Sequence, residues 1–142
     1  PKIDVLMALH ACDIATDDAI ARGIKDHAKV ILAAPCCHKQ IRNSMKNQGS
    51  LAALTKFGIM EARQAEILTD TIRALILESY GYKTKVFEFI ATDHTPKNIL
   101  IAAVKTKGIE VPDSNIKEQI TTLKDTFGIS FHELERLMEI KN

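Results

Sequence analysis

The chain has 142 residues, 46% of them hydrophobic and 26% charged, a composition that excludes a disordered or fibrous protein and a length that can bury a core without a disulfide or metal staple. A net charge of +1, from 19 basic and 18 acidic residues, excludes a global field for nucleic acid, so an RNA contact would need a local basic patch. Three cysteines, two of them adjacent, and no apolar run near the roughly 18 residues that span a bilayer predict a reduced, cytoplasmic protein with no membrane association.

The chain opens on Pro1 and Lys2 and runs at once into a strand, as a cut end would. Ile3 to Leu9 is almost unbroken apolar sequence, which predicts a strand covered on both faces and central in a parallel sheet. Thr16 then reads as the N-cap of a short crossover helix with Asp17 and Asp18 in its first turn. "KVILAAPCC" repeats the buried-strand pattern, and the connection suits a right-handed βαβ unit. Pro35 cannot donate to a ladder, so pairing should end near Ala34.

Between Lys39 and Gly58 the pattern allows a short helix or loop, then a helix capped by Ser50 and stopped at Gly58. From Met60 to Ser79 the residues Leu68, Ile72, Leu75 and Ile76 share one face of the longest helix, and Gly81 supplies a left-handed stop. "KTKVFEFI" and "NILIAAVK" are two strands. The intervening "ATDHTPKN" is too short for a parallel crossover, so they form an antiparallel hairpin and the sheet is mixed. Beyond Thr106 two amphipathic helices follow, the second opened by a capping box of Ser130 and Glu133 with Ile129 and Leu134 as its staple. The expected division is an α/β unit over 1–105 and a helical C-terminal extension over 106–142.

The order β, α, β, α, β, β finishing on a reversed strand is uncommon among doubly wound sheets. With "HACDIATDDAIARGI", "APCCHKQIR", "EARQAEILTDTIRALILESYGYKTKVFEFI" and "TPKNILIAAVK", the stretch from about residue 3 to 105 resembles the second half of a class I methyltransferase domain. The family it is similar to includes the methyltransferase-like domain of glutathione S-transferase C-terminal-domain proteins and the acceptor-stem tRNA 2'-O-methyltransferases. The resemblance implies an α/β fold: a partial Rossmann-like sheet ending in an antiparallel hairpin, plus the C-terminal helical pair. It implies S-adenosylmethionine as cofactor and RNA as a candidate acceptor. The family's glycine-rich cofactor loop has no counterpart, since the six glycines include no G-x-G. A fragment is therefore expected, inactive alone, whose exposed sheet edge pairs with the missing N-terminal half or with a second copy.

Ligands of open α/β sheets gather beyond the carboxyl ends of the parallel strands, where "HACD" and "PCCH" should become neighbours. By resemblance, Leu9, His10 and Ala11 line the methionine end of the cofactor, small Ala8 and Ala11 permit its close approach, and His10 contacts substrate or acts as base. A histidine bonded to backbone is the plainer alternative. Asp13 orients the acceptor or forms an Asx turn. Cys37 is the candidate catalytic thiol, while a simpler role has one cysteine packing under the sheet end and the other lining the pocket. His10, Cys12, a cysteine at 36 or 37, and His38 could converge on zinc, but no C-x-x-C exists and adjacent side chains on extended backbone point apart, so no metal ligand is assigned. His38, Lys39 and Arg42, with Gln40 and Lys46 nearby, offer donors to a phosphate or nucleotide edge, or form a solvated face. His94, Lys97 and Asn98 on the hairpin loop would close over the target, or Asn98 caps the turn. The competing functions are a noncatalytic methyltransferase-like binding module and a Cys/His metal-binding domain.

Overall fold

Four strands pair into one mixed sheet in the computed structural model, which describes residues 2–90 and 97–139. β1 (Val5–Leu9) runs parallel to β2 (Val30–Ala34), with Val5 opposite Val30 and Leu9 opposite Ala34. Helix α1 (Ile14–Lys25) makes the crossover. Pairing ends at Ala34, where Pro35 has no N–H to contribute. β3 (Tyr82–Glu88) and β4 (Ile99–Lys105) are antiparallel, and β4 inserts antiparallel between β2 and β3, giving the order β1-β2-β4-β3. The fold is thus α/β with a four-stranded mixed sheet.

The long helix α3 (Gly58–Ser79) buries Leu68, Ile72 and Ile76, as the periodicity predicts, and stops at Gly81 with φ of 85°. A Cβ at Gly81 would lie 2.5 Å from the Lys107 carbonyl oxygen, so both conformation and space require glycine. Helix α4 (Ser114–Phe127) is capped by the Asp113 carboxylate, which accepts from Asn115 N (2.9 Å) and Ile116 N (3.2 Å). Helix α5 (Glu133–Glu139) follows. Ile120, Ile129, Leu134 and Met138 from this extension join Ile24, Ile31, Ile72 and Ile101 in one apolar cluster. The extension therefore shares its core with the sheet-bearing residues.

Several local expectations are corrected. Helix α1 begins at Ile14, so Thr16 is inside the helix; fully buried, it donates its hydroxyl to Ala11 O (2.7 Å). Helix α2 (Lys39–Ser44) and a 3₁₀ turn (Gly49–Thr55) precede α3, and Gly58 opens that helix instead of stopping another. The capping box is replaced: Glu133 N donates to Gln40 Oε1 (3.1 Å) and Leu134 N to His132 Nδ1 (3.1 Å). Gln40 of α2 takes the Glu133 amide that Ser130 is expected to cap, while Leu134 N is met locally by the imidazole two residues before it. β1 lies at the sheet edge among the described residues, not at the centre.

The two faces of the sheet differ. Leu6, Ala8, Ile31, Ala33, Ile101 and Ala103 alternate onto the face that enters the core. On the other face Val5, Met7, Leu9 and Val104 remain 50–58% exposed, although their sequence is that of a sheet covered on both sides. Among the described residues no helix is long and apolar enough to cross a membrane. The asymmetry gives an expected outcome in urea denaturation. Ile31→Ala should cost about 2–5 kcal/mol, whereas Met7→Lys should stay within about 0.5 kcal/mol of the parent chain.

Candidate functional site at the ends of the parallel strands

The ladder between β1 and β2 ends with His10 N donating to Ala34 O (3.1 Å). The chain then turns sharply, with His10 at φ 56° and Asp13 at φ 43°. Non-glycine residues in the left-handed region cost of order 1–3 kcal/mol each and persist only where their surroundings hold them. Here the turn is held from several sides. The Asp13 carboxylate accepts from Gln40 N (3.2 Å), Asp13 O accepts from Arg73 Nη2 (2.9 Å), and Ala11 O accepts from Thr16 and from the Cys36 thiol (3.6 Å). Asp13 thus ties the loop after β1 to α2, instead of closing an Asx turn on its own helix.

Three sulfurs meet between the two loops. Cys12 Sγ lies 3.7 Å from Cys36 Sγ and 3.7 Å from Cys37 Sγ, and the latter two are also 3.7 Å apart. Adjacent cysteines were expected to diverge. They do not, because beyond Ala34 the chain has left the ladder and strict alternation of side chains no longer applies. Burial, and then the two neighbouring thiols, push Cys36 up to about 11, so it is a protonated thiol at neutral pH.

Beneath the loops lies an ionic network that the sequence did not announce. Arg73 has no exposed surface. Its Nε and Nη2 grip Asp17 at 2.8 and 3.0 Å, and its Nη1 donates to Asp70 Oδ1 at 3.1 Å. Burial opposes the guanidinium charge, but the Asp17 and Asp70 carboxylates outweigh it and hold the pKa above the ordinary arginine value. The other oxygen of Asp70 meets His38 Nε2 (3.3 Å) and Lys97 Nζ (2.9 Å), and Lys97 also contacts the His38 ring. Burial raises Asp70 to about 6 and lowers Lys97 to about 8, the latter against the pull of Cys36 and Cys37. Lys97, Asp70 and Asn98 open onto a cleft of about 480 Å³ between α3 and the β3–β4 hairpin, with Ile67 and Val86 on its walls.

The sequence-derived site residues are only partly brought together. Leu9 and His10 stand exposed at the strand end, and Ala11 is half-buried beside them. Asp13, Cys37, His38 and Lys97 converge on the same region, but His38 is buried against Asp70 instead of facing the entrance. Arg42 is engaged with Glu61 (2.7 Å) and Gly58 O (3.3 Å), while Lys39 is exposed. Asn98 closes the hairpin by donating its side-chain amide to Phe89 O (2.9 Å). His94 lies outside the described residues. Sequence reasoning missed Asp17, Asp70 and Arg73 as partners. The available signal was a charged i, i+3 pair, Asp70 and Arg73, set among Thr69, Ile72 and Ile76 on the apolar stripe of α3.

Two outcomes follow from the network. Arg73→Met strands two buried carboxylates and should cost about 3–5 kcal/mol in urea denaturation. His132 is fully buried, donating Nε2–H to Thr69 O (3.2 Å) and accepting from Leu134 N; burial, with Arg73 facing it, lowers its pKa from 6.5 to about 4, against the weaker pull of Glu135 and Asp70. The unfolded chain therefore takes the proton first. The stability advantage over His132→Gln should be complete above pH 6.5 and shrink by up to about 3 kcal/mol as the pH falls through 4, as read from denaturation midpoints at each pH.

A methyltransferase domain family matches residues 1–44, which carry both strand-end loops and their cysteines. Glutathione S-transferase C-terminal domain-containing proteins of Macaca fascicularis and Homo sapiens are each 29% identical to the chain, and that of Bos taurus 26%, over 69% of this chain. The chain spans only 19% of the length of these curated relatives. No solved structure matches it. The sequence similarity thus supports a methyltransferase domain, and it falls on the segment that builds the strand-end site.

Proposed function

We propose that the chain forms part of an S-adenosylmethionine-dependent methyltransferase with a class I, Rossmann-like sheet, and that RNA is its acceptor. The observation that carries this reading is the coincidence of the methyltransferase match over residues 1–44 with the two loops that the parallel pair β1–β2 brings side by side. The reversed strand β4, inserted between β2 and β3, supports the same reading. Exposed Lys39, next in the chain to His38, supplies a cationic group beside the site for a phosphate backbone.

The residues present fit the methionine end of the cofactor. Leu9 and His10 are open to solvent at the strand end and Ala11 beside them is small, whereas Ala8 faces the buried core and does not line the site. No G-x-G turn is available in the chain for the rest of the cofactor. When bound, the cofactor supplies a methyl group on a sulfonium for in-line displacement. The contribution of this chain is to orient the acceptor, exclude water and, at His10, take the acceptor's proton. The apolar face of Val5, Met7, Leu9 and Val104, together with the outer edge of β1, would receive the remaining strands and helices of a longer protein; a second copy is the alternative occupant.

A second reading, a noncatalytic binding module, is favoured by the internal bonding of Asp13, His38, Arg42 and Lys97, which are already engaged with protein partners. Calorimetric titration separates the two. S-adenosylmethionine should give no heat with this chain alone and saturable heat with a longer protein that continues the sheet. In that protein His10→Ala should slow methyl transfer by about 100-fold or more. Absence of cofactor binding to the longer protein would leave the binding module as the function.

A further inference from the structure

We propose that Cys12, Cys36 and Cys37 form a zinc site, with three thiolate ligands and a fourth coordination position open to solvent. In a tetrahedral zinc–thiolate centre, zinc–sulfur bonds of about 2.3 Å place the sulfurs about 3.8 Å apart. The three sulfurs here close a triangle with every side at 3.7 Å. Two sulfurs in ordinary packing contact can reach that distance. What sets this cluster apart is that three do so at once, from two separate loops, at a solvent-accessible rim where Cys12 is exposed.

The surroundings suit the ion. All three sulfurs lie within 4.8 Å of one another, and among the described residues no histidine or carboxylate joins them, so the donor set is purely soft. That set favours zinc over magnesium or calcium. The loop carrying Cys12 is held in position by the strained residues His10 and Asp13 on either side of it and by their bonds to Ala34 and Gln40. Binding exchanges three S–H bonds for three zinc–sulfur bonds and releases three protons, leaving the centre with one net negative charge. Lys97 interacts electrostatically with Cys36 and Cys37 and offsets that charge. Loss of the Cys36 proton orphans nothing, because its acceptor, Ala11 O, keeps the Thr16 hydroxyl at 2.7 Å. The ion would lock the loop after β1 to the loop after β2, independently of whether the protein transfers methyl groups.

The test uses the whole chain, purified under reducing conditions and stripped with a chelator. Zinc added alone should bind at one equivalent and release about three protons in weak buffer. Cobalt(II) in its place should show the visible bands of a tetrahedral ion with thiolate charge transfer. Cys12→Ser removes an exposed ligand and leaves the buried core intact. It should weaken zinc binding by more than the about 10–100-fold that loss of an outer-shell partner costs, and circular dichroism should confirm that the variant is folded. Zinc binding equal in Cys12→Ser and the parent would overturn the site, as would thiols whose alkylation rate is unchanged by zinc. A disulfide among the three cysteines in a chain that takes up no zinc would assign them to redox chemistry and also overturn it.

Discussion

Arg73 sits with its whole surface out of solvent and spends its guanidinium on three elements at once: Asp17 of α1, Asp70 of α3 and the carbonyl of Asp13 in the loop after β1. A buried arginine is tolerable only when its donors are met by carboxylates and carbonyls in good geometry, because the cost of removing its charge from water is several kcal/mol. The fork-to-fork arrangement with Asp17 fulfils that requirement. It also fixes geometry, since α1, α3 and the strand-end loop can occupy only the relative positions in which all three acceptors reach one planar group. The site is built on that fixed point.

From Arg73 the network passes through Asp70 to His38 and Lys97, and so reaches the loop after β2 and the start of β4. The same carboxylate therefore holds the floor of the cleft beside α3 and supports the loop that carries Cys36 and Cys37. His132 presses on this network from the extension by bonding to Thr69 O, one residue from Asp70. The extension is consequently not an appendage to the sheet: its buried imidazole and its apolar residues complete the packing around α3.

The uneven burial of the sheet is the other organising constraint. One face carries Ile31, Ala33, Ile101 and Ala103 into the core, while Val5, Met7, Leu9 and Val104 present apolar side chains to water on the opposite face. A continuous apolar strand sequence is the mark of burial on both sides. The mismatch between that sequence and the exposure of β1 connects the local pattern to the proposal that a longer protein continues the sheet.

The two aliphatic strands, the Pro35 stop, the long helix with its Gly81 terminus and the antiparallel hairpin are legible in the chain, because periodicity and backbone chemistry act over a few residues. The same local signals bring "HACD" and "PCCH" to neighbouring strand ends, because a parallel pair aligns its carboxyl termini. Which polar groups meet depends on long-range packing that no local pattern encodes. Asp17 and Arg73 lie far apart in the chain, and a carboxylate in a first helical turn reads as a partner of the helix dipole until a guanidinium arrives from another helix. His38 and Arg42 read as unengaged donors for the same reason, and the expected capping box lost its Glu133 amide to Gln40. Whether adjacent Cys36 and Cys37 point apart or together depends on backbone angles beyond the ladder, where no repeating pattern constrains them, and it is the fold that turns them both toward Cys12.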